Sequence, residues 1–219
     1  MAVWTIEVVN ETGAAQDFFV FSQPPEVRFA GQAVAVHPSA WITYPGVQPG
    51  ERRRSTFSES ISIYVDLNGA KPAPGVVLVE SANVPVDARA RDSVSLLTDF
   101  NSGIFGPVEH GRSEYGTVSL HTSDPLVREG FPPPSTVGLG KFGDSDLPYP
   151  IAGFAPKPGG VFVIKPSRRF HLAQGRPLRG EALALHPPSL VDIDFDVDDL
   201  KATITARADG VFAVAYGAN

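Results

Sequence analysis

Short runs in which apolar residues alternate with polar ones recur along nearly the whole chain, separated by clusters of glycine, proline, asparagine and aspartate. A period of two puts successive side chains on opposite faces of an extended strand, and no long stretch repeats at the helical 3.6. The pattern predicts strands at 3–9, 17–21, 60–66, 76–80, 94–98, 117–122, 161–165, 168–173, 190–198, 202–207 and 211–216, with very little helix.

The stretch 190–198 is the most regular. Ile193, Phe195 and Val197 share one face there, and Asp192, Asp194, Asp196 and Asp198 share the other. With a loop at 198–201, the following strand sets Phe195 against Ile204 and Ile193 against Ala206. The three-residue connection Ala208-Asp209-Gly210 then pairs Ala206 with Phe212, Ile204 with Val214 and Ala202 with Tyr216. A three-stranded antiparallel meander is predicted to close the chain. Its aspartates need no ligand, because same-face neighbours about 6 to 7 Å apart repel by only about 0.6 kcal/mol in water. A solvated face is expected. Pairing with Arg169 and His171 of the 168–173 strand is one alternative use. Calcium is the other, disfavoured because its ligands converge from loops whereas a strand sets carboxylates in a row.

Composition narrows the class. The 219 residues, 42% of them hydrophobic, suffice for the core of one all-β domain spanning 1–219. A formal net charge of -6 argues against a nucleic-acid partner, which needs a sustained basic surface. The absence of cysteine excludes disulfides, thiolate metal sites and a cysteine nucleophile. No apolar run is long enough to span a membrane, and Met1-Ala2-Val3-Trp4 does not resemble an export leader, so a soluble, cytoplasmic protein without a membrane partner is expected. Asn10-Glu11-Thr12 fits a glycosylation sequon but is expected to be a turn.

Candidate chemistry is sparse. Gly138-Leu139-Gly140-Lys141-Phe142-Gly143 matches G-x-G-x-x-G, yet the prolines at 132–134 and the stretch 144–148 leave it without the preceding strand and following helix that a dinucleotide site requires. The five histidines show no metal-ligand spacing, so no metal is expected, and no motif implies a cofactor. His121, with Glu114 and Asp124 nearby as orienting acids, is the candidate general base, though an exposed or hydrogen-bonded structural histidine is the favoured reading of it. There is no G-x-S-x-G nucleophile elbow. The segment 123–160 has no regular period and carries Phe131, Phe142, Tyr149 and Phe154 among prolines and glycines. It is expected to be a long loop whose four aromatics bind a ligand or, equally, cap the open end of the sandwich.

The expected fold is therefore a mostly antiparallel β-sandwich, or a flattened β-barrel, with long Pro/Gly-rich loops. The expected function is a non-catalytic binding module for a small apolar or glycan-like ligand or a protein partner. A cofactor-independent enzyme of the cyclase or isomerase type, acting on an apolar metabolite inside the sandwich or barrel, is the alternative. A structural component that uses an exposed strand edge is a third reading.

Overall fold

A computed structural model describes residues 3–67, 69–97, 104–126, 133–143, 148–184, 190–195 and 200–217. Among these the chain forms strands and no helix. In order they are β1 (Val3–Glu11), β2 (Gln16–Ser22), β3 (Glu26–Phe29), β4 (Gln32–Ala33), β5 (His37–Pro38) and β6 (Ala40–Val47). Then come β7 (Arg52–Ser58), β8 (Ile61–Asp66), β9 (Ala82–Val86), β10 (Ser93–Leu96), β11 (Val118–Thr122) and β12 (Thr136–Phe142). The last six are β13 (Pro148–Phe154), β14 (Gly160–Lys165), β15 (Arg169–Gln174), β16 (Leu190–Asp194), β17 (Lys201–Arg207) and β18 (Phe212–Gly217).

Four sheets result, ordered β18-β17-β1-β7, β10-β11-β14-β3-β4, β5-β13-β12-β8-β9 and β16-β15-β2-β6. Among the described residues all four are open-ended and no closed barrel forms, as in a β-sandwich. Pairing is antiparallel except between β1 and β17 and between β10 and β11. The alternation seen in the sequence appears directly as burial. In β17 Ala202, Ile204 and Ala206 are buried, while the residues between them are half-buried.

The register of the last hairpin is the expected one, with Ala206 opposite Phe212, Ile204 opposite Val214 and Ala202 opposite Tyr216. Gly210 takes the positive φ of 79° that the turn requires. The hairpin expected between 190–198 and 202–207 does not form. β17 runs parallel to β1, and β16 pairs with β15. The acidic face consequently meets a basic strand: Arg169 Nε donates to Asp194 Oδ2 at 3.0 Å, and His171 Nδ1 lies 2.8 Å from Asp192 Oδ1. The face is solvated, with the Asp192 and Asp194 side chains 72% and 43% exposed, and it also makes the cross-strand contacts with Arg169 and His171 expected as the alternative, while Asp196 and Asp198 lie outside the described residues.

Two further expectations change. The run 76–80 contributes an isolated bridge, Val77 to Glu181, and the strand lies just beyond it as β9. The segment 123–160 is no simple loop, because β12 and β13 lie within it and form the middle of a sheet. Its glycines and prolines, which ordinarily break strands, occupy positions a sheet can accept. Pro148 and Pro150 sit where β13 has a strand on one side only, since β5 reaches just Ala152 and Gly153. Gly138 and Gly140 share the face that Tyr64 and Ser62 of β8 cover. A Cβ on Gly138 would stand 2.6 Å from the Tyr64 ring, and one on Gly140 2.7 Å from Ser62 Oγ. The G-x-G-x-x-G match is thus largely strand, and its first two glycines make room for neighbouring side chains.

The sequon, expected to be a turn, straddles the end of β1: Asn10 and Glu11 are the strand's last residues and Thr12 begins the bend beyond it. Asn10 Oδ1 accepts from the Thr12 N–H and hydroxyl, and its Nδ2 donates to the carbonyls of Ala14 and Val47.

One continuous core links the four sheets. Its densest part is aromatic, with Trp4 (β1), Trp41 (β6), Phe57 (β7), Phe170 (β15) and Phe195 (just after β16) all buried. Trp4 and Phe195 stack at 5.3 Å, while Phe57 meets Trp41 at 4.9 Å and Phe170 at 5.2 Å, both edge to face.

Candidate functional site

A pocket of ≈ 130 Å³ opens against this cluster, lined by Trp41, Ile42, Thr43, Ser55, Thr56, Gly143 and Arg179. Three of these come from adjacent positions of β6 and two from β7, so the sheets themselves hold most of the wall. Arg179 is fixed by the turn that carries it. Glu181 N–H closes the turn on Leu178 O, and Gly180 provides its positive φ of 85°. Gly180 N–H donates to Ala40 O, and Ala40 N–H to Glu181 O, which fastens the turn to the start of β6.

Arg179 Nε donates to Trp41 O at 2.8 Å, and its guanidinium carbon stands 3.3 Å from the centre of the Tyr149 ring. One edge of the guanidinium is thus satisfied and its plane is held by stacking. The nearby Glu181 carboxylate accepts the Leu178 N–H, and among the described residues no carboxylate pairs with Arg179. The pocket therefore presents a fixed cation on a wall that includes Thr43, Ser55 and Thr56, an arrangement suited to an anionic or strongly accepting group.

Behind the pocket wall lies an unusual lysine. Val137, Leu139 and Lys141 alternate on the inward face of β12, and Lys141 is only 3% exposed. Its Nζ stands 4.8 Å from the Trp4 ring centre, 5.6 Å from Phe57 and 5.8 Å from Phe170. Burial pushes its amine down to about 7; Glu59 pulls the other way, and Arg168 adds to the depression. Glu59 itself forms ion pairs with Arg89 and Arg168.

The candidates singled out in the sequence are dispersed. Tyr149 stands opposite Lys141 in the sheet and forms the stacking platform for Arg179. Phe142 is half-buried and immediately precedes the pocket residue Gly143. Phe154 is fully buried and packs on Phe162 at 5.1 Å, as a core residue. Phe131 lies outside the described residues. His121 is exposed on β11, whereas Glu114 precedes that strand and Asp124 follows it. Among the described residues no hydrogen bond or ion pair joins these three. A histidine that does meet a buried acid is His110, whose Nδ1 lies 2.6 Å from Asp92 Oδ1.

The sequence pattern does not single out Trp41, Arg179 or Lys141. Lys141 left one signal, a lysine in register with Val137 and Leu139 at a spacing of two. Among the described residues no cluster of three or more histidine, aspartate and glutamate side chains could hold a metal. Nor is any helix among them long and apolar enough to cross a membrane.

An open β-sandwich with a small, polar-rimmed pocket set on an aromatic core is the class of protein these observations define. The sequence model of the RhiA family matches residues 1–217, and the chain belongs to that family. No curated protein and no solved structure matches it significantly.

Proposed function

We propose that the protein is a non-catalytic binding module whose pocket over Trp41 takes the anionic head group of a small ligand, with sugar acids and other small carboxylates as the class. The observation that carries this reading is Arg179, stacked on Tyr149, tied to Trp41 O and without a carboxylate partner among the described residues. A guanidinium held this way loses little freedom when it binds a carboxylate, and its remaining N–H groups suit a two-point contact. Thr43, Ser55 and Thr56 are among the residues that line the same pocket. A volume of ≈ 130 Å³ suits a head group rather than a whole apolar metabolite. Size and polar rim together favour this reading over a cyclase or isomerase, which would need an enclosed apolar chamber.

Ligand-observed NMR against uronic acids, simple carboxylates and their neutral analogues tests it. Binding should be selective for the acids, weaken with added salt, and fall at least about tenfold in Arg179→Ala. The melting temperature of that variant should change little, because the Arg179 side chain lies at the surface. Equal binding of neutral analogues, or unchanged binding in Arg179→Ala, would overturn the proposal.

A further inference from the structure

We propose that the acid taken up beside Arg179 carries a hydrocarbon tail, and that the tail lies on an apolar ledge formed by Val77, Val79 and Leu178. The inference rests on the reading of Arg179 as a carboxylate site and narrows the ligand to a medium-chain alkyl carboxylate. A pocket of ≈ 130 Å³ holds a head group, so the rest of such a ligand lies on the surface around it. The turn that delivers Arg179 brings an apolar surface with it.

The ledge follows from the run Val76-Val77-Leu78-Val79, because neighbouring side chains on an extended segment point opposite ways. Leu78 is buried, its Cδ1 lying 3.0 Å from where a Cβ on Gly153 would stand, so Val77 and Val79 are turned out. The segment is laced to the Arg179 turn: Leu78 N–H donates to Gly180 O, Ala182 N–H donates to Val76 O, and Val77 bridges to Glu181. Gly180 allows the close approach, since a Cβ there would stand 2.9 Å from Leu78 O and 3.6 Å from Val77 Cγ1. Leu178 opens the same turn, immediately before Arg179. Val77, Val79 and Leu178 are 36%, 52% and 65% exposed.

Among the described residues eight large hydrophobic side chains are exposed, and three of them sit on this one ribbon. Scattered singly they would need no account; gathered beside a fixed cation they form the apolar half of a binding surface. The charge decides the occupant. A wholly apolar partner would make no use of the guanidinium, and a sugar acid would set its hydroxyls against aliphatic side chains. An alkyl carboxylate satisfies both surfaces at once. Val77 and Val79 are about 6 to 7 Å apart along the ribbon, roughly the length of five methylenes, which suits acids of about six to ten carbons. An anionic membrane offers related chemistry on a larger scale, so vesicles form one arm of the test.

Titration of the intact chain with the straight-chain acids from butanoate to decanoate, each below its micelle concentration, tests the proposal. Affinity should rise about twofold per added methylene up to octanoate and then level off, as expected for a tail covered on one side. Octanol should bind at least about tenfold less tightly than octanoate, and Arg179→Ala should weaken every acid in the series. Val79→Ser combined with Leu178→Ser should flatten the rise, lowering octanoate binding several-fold more than butanoate binding. Both side chains are exposed, so the double variant should fold as the parent does. If butanoate binds through Arg179 and chain length makes no difference, the tail site is overturned and the carboxylate site stands. If no acid binds, both fall. A rise with chain length that survives undiminished in the double variant, or sedimentation with phosphatidylglycerol vesicles without binding of free octanoate, also overturns the ledge as a tail site.

Discussion

The ring of Tyr64 stands where a side chain on Gly138 would go: an added Cβ would lie 2.6 Å from its Cε1 and 2.0 Å from the Ala152 carbonyl oxygen. The second contact is with backbone, which cannot swing aside as a flexible side chain can. Gly138→Ala is therefore expected to cost at least about 3 kcal/mol in chemical denaturation, or to prevent folding. Gly143, the last glycine of the same run, has no positive φ, and a Cβ added there would meet nothing within 4 Å among the described residues. Gly143→Ala should stay within about 0.5 kcal/mol of the parent. Similar losses at the two sites would mean that Gly138 does not face Tyr64.

Phe195 is the residue at which the aromatic cluster is most open to test. It is 2% exposed, stacks on Trp4 with an interplanar angle of 3°, and meets Phe57 and Phe170 edge to face. Phe195→Ala should lose about 3 to 5 kcal/mol. In a double-mutant cycle with Phe57→Leu, the coupling should be about 1 kcal/mol. A small loss with additive effects would mean that Phe195 does not complete the cluster.

The pairs on the β15–β16 ladder carry little stability despite their good distances. Arg169 and Asp194 have side chains 61% and 43% exposed, so water and salt screen most of their attraction. Asp194→Asn should change the unfolding free energy by less than about 0.5 kcal/mol. Calcium should leave the melting temperature unchanged in parent and variant alike. A rise of several degrees with calcium, lost in Asp194→Asn, would show instead that the aspartates gather a cation.

The sequence carries local pairing well and long-range pairing poorly. The β17–β18 register is legible because a three-residue turn with Gly210 at positive φ fixes both its geometry and its faces. The same facing rule fits β16 to β17 equally well, yet β17 takes β1 as its parallel neighbour, a partner about two hundred residues away whose choice leaves no local mark. β12 and β13 are hidden for a different reason. Gly138 and Gly153 both lie against Tyr64, so residues that ordinarily signal a turn here signal close packing. Of the candidate aromatics among the described residues, Tyr149 takes a place in the pocket's architecture, because Arg179 reaches it from a turn thirty residues on. Side chains brought together across sheets, such as Trp41 with Arg179 or Lys141 with Trp4, have no spacing for a single sequence to reveal.

Lys141 should make stability depend on pH in a window where few other groups titrate. Its amine titrates at about 7 in the fold, against 10.5 for an ordinary lysine. Between those values the unfolded chain holds a proton that the folded chain does not, so stability rises with pH. Below pH 7 both states are protonated and the penalty is constant, on the order of 5 kcal/mol relative to alkaline pH. Tyr64 acts with the opposite sign at higher pH. Burial and the charges of Asp66 and Glu80 raise its phenol, so above pH 10 the unfolded chain ionises first and stability falls. The window to measure is therefore pH 6 to 9. Over that range the parent should gain about 3 kcal/mol relative to Lys141→Met, with the variant the more stable of the two at pH 6. Parallel pH profiles for the two proteins would show that the amine keeps an ordinary basicity and that the aromatic surroundings do not desolvate it.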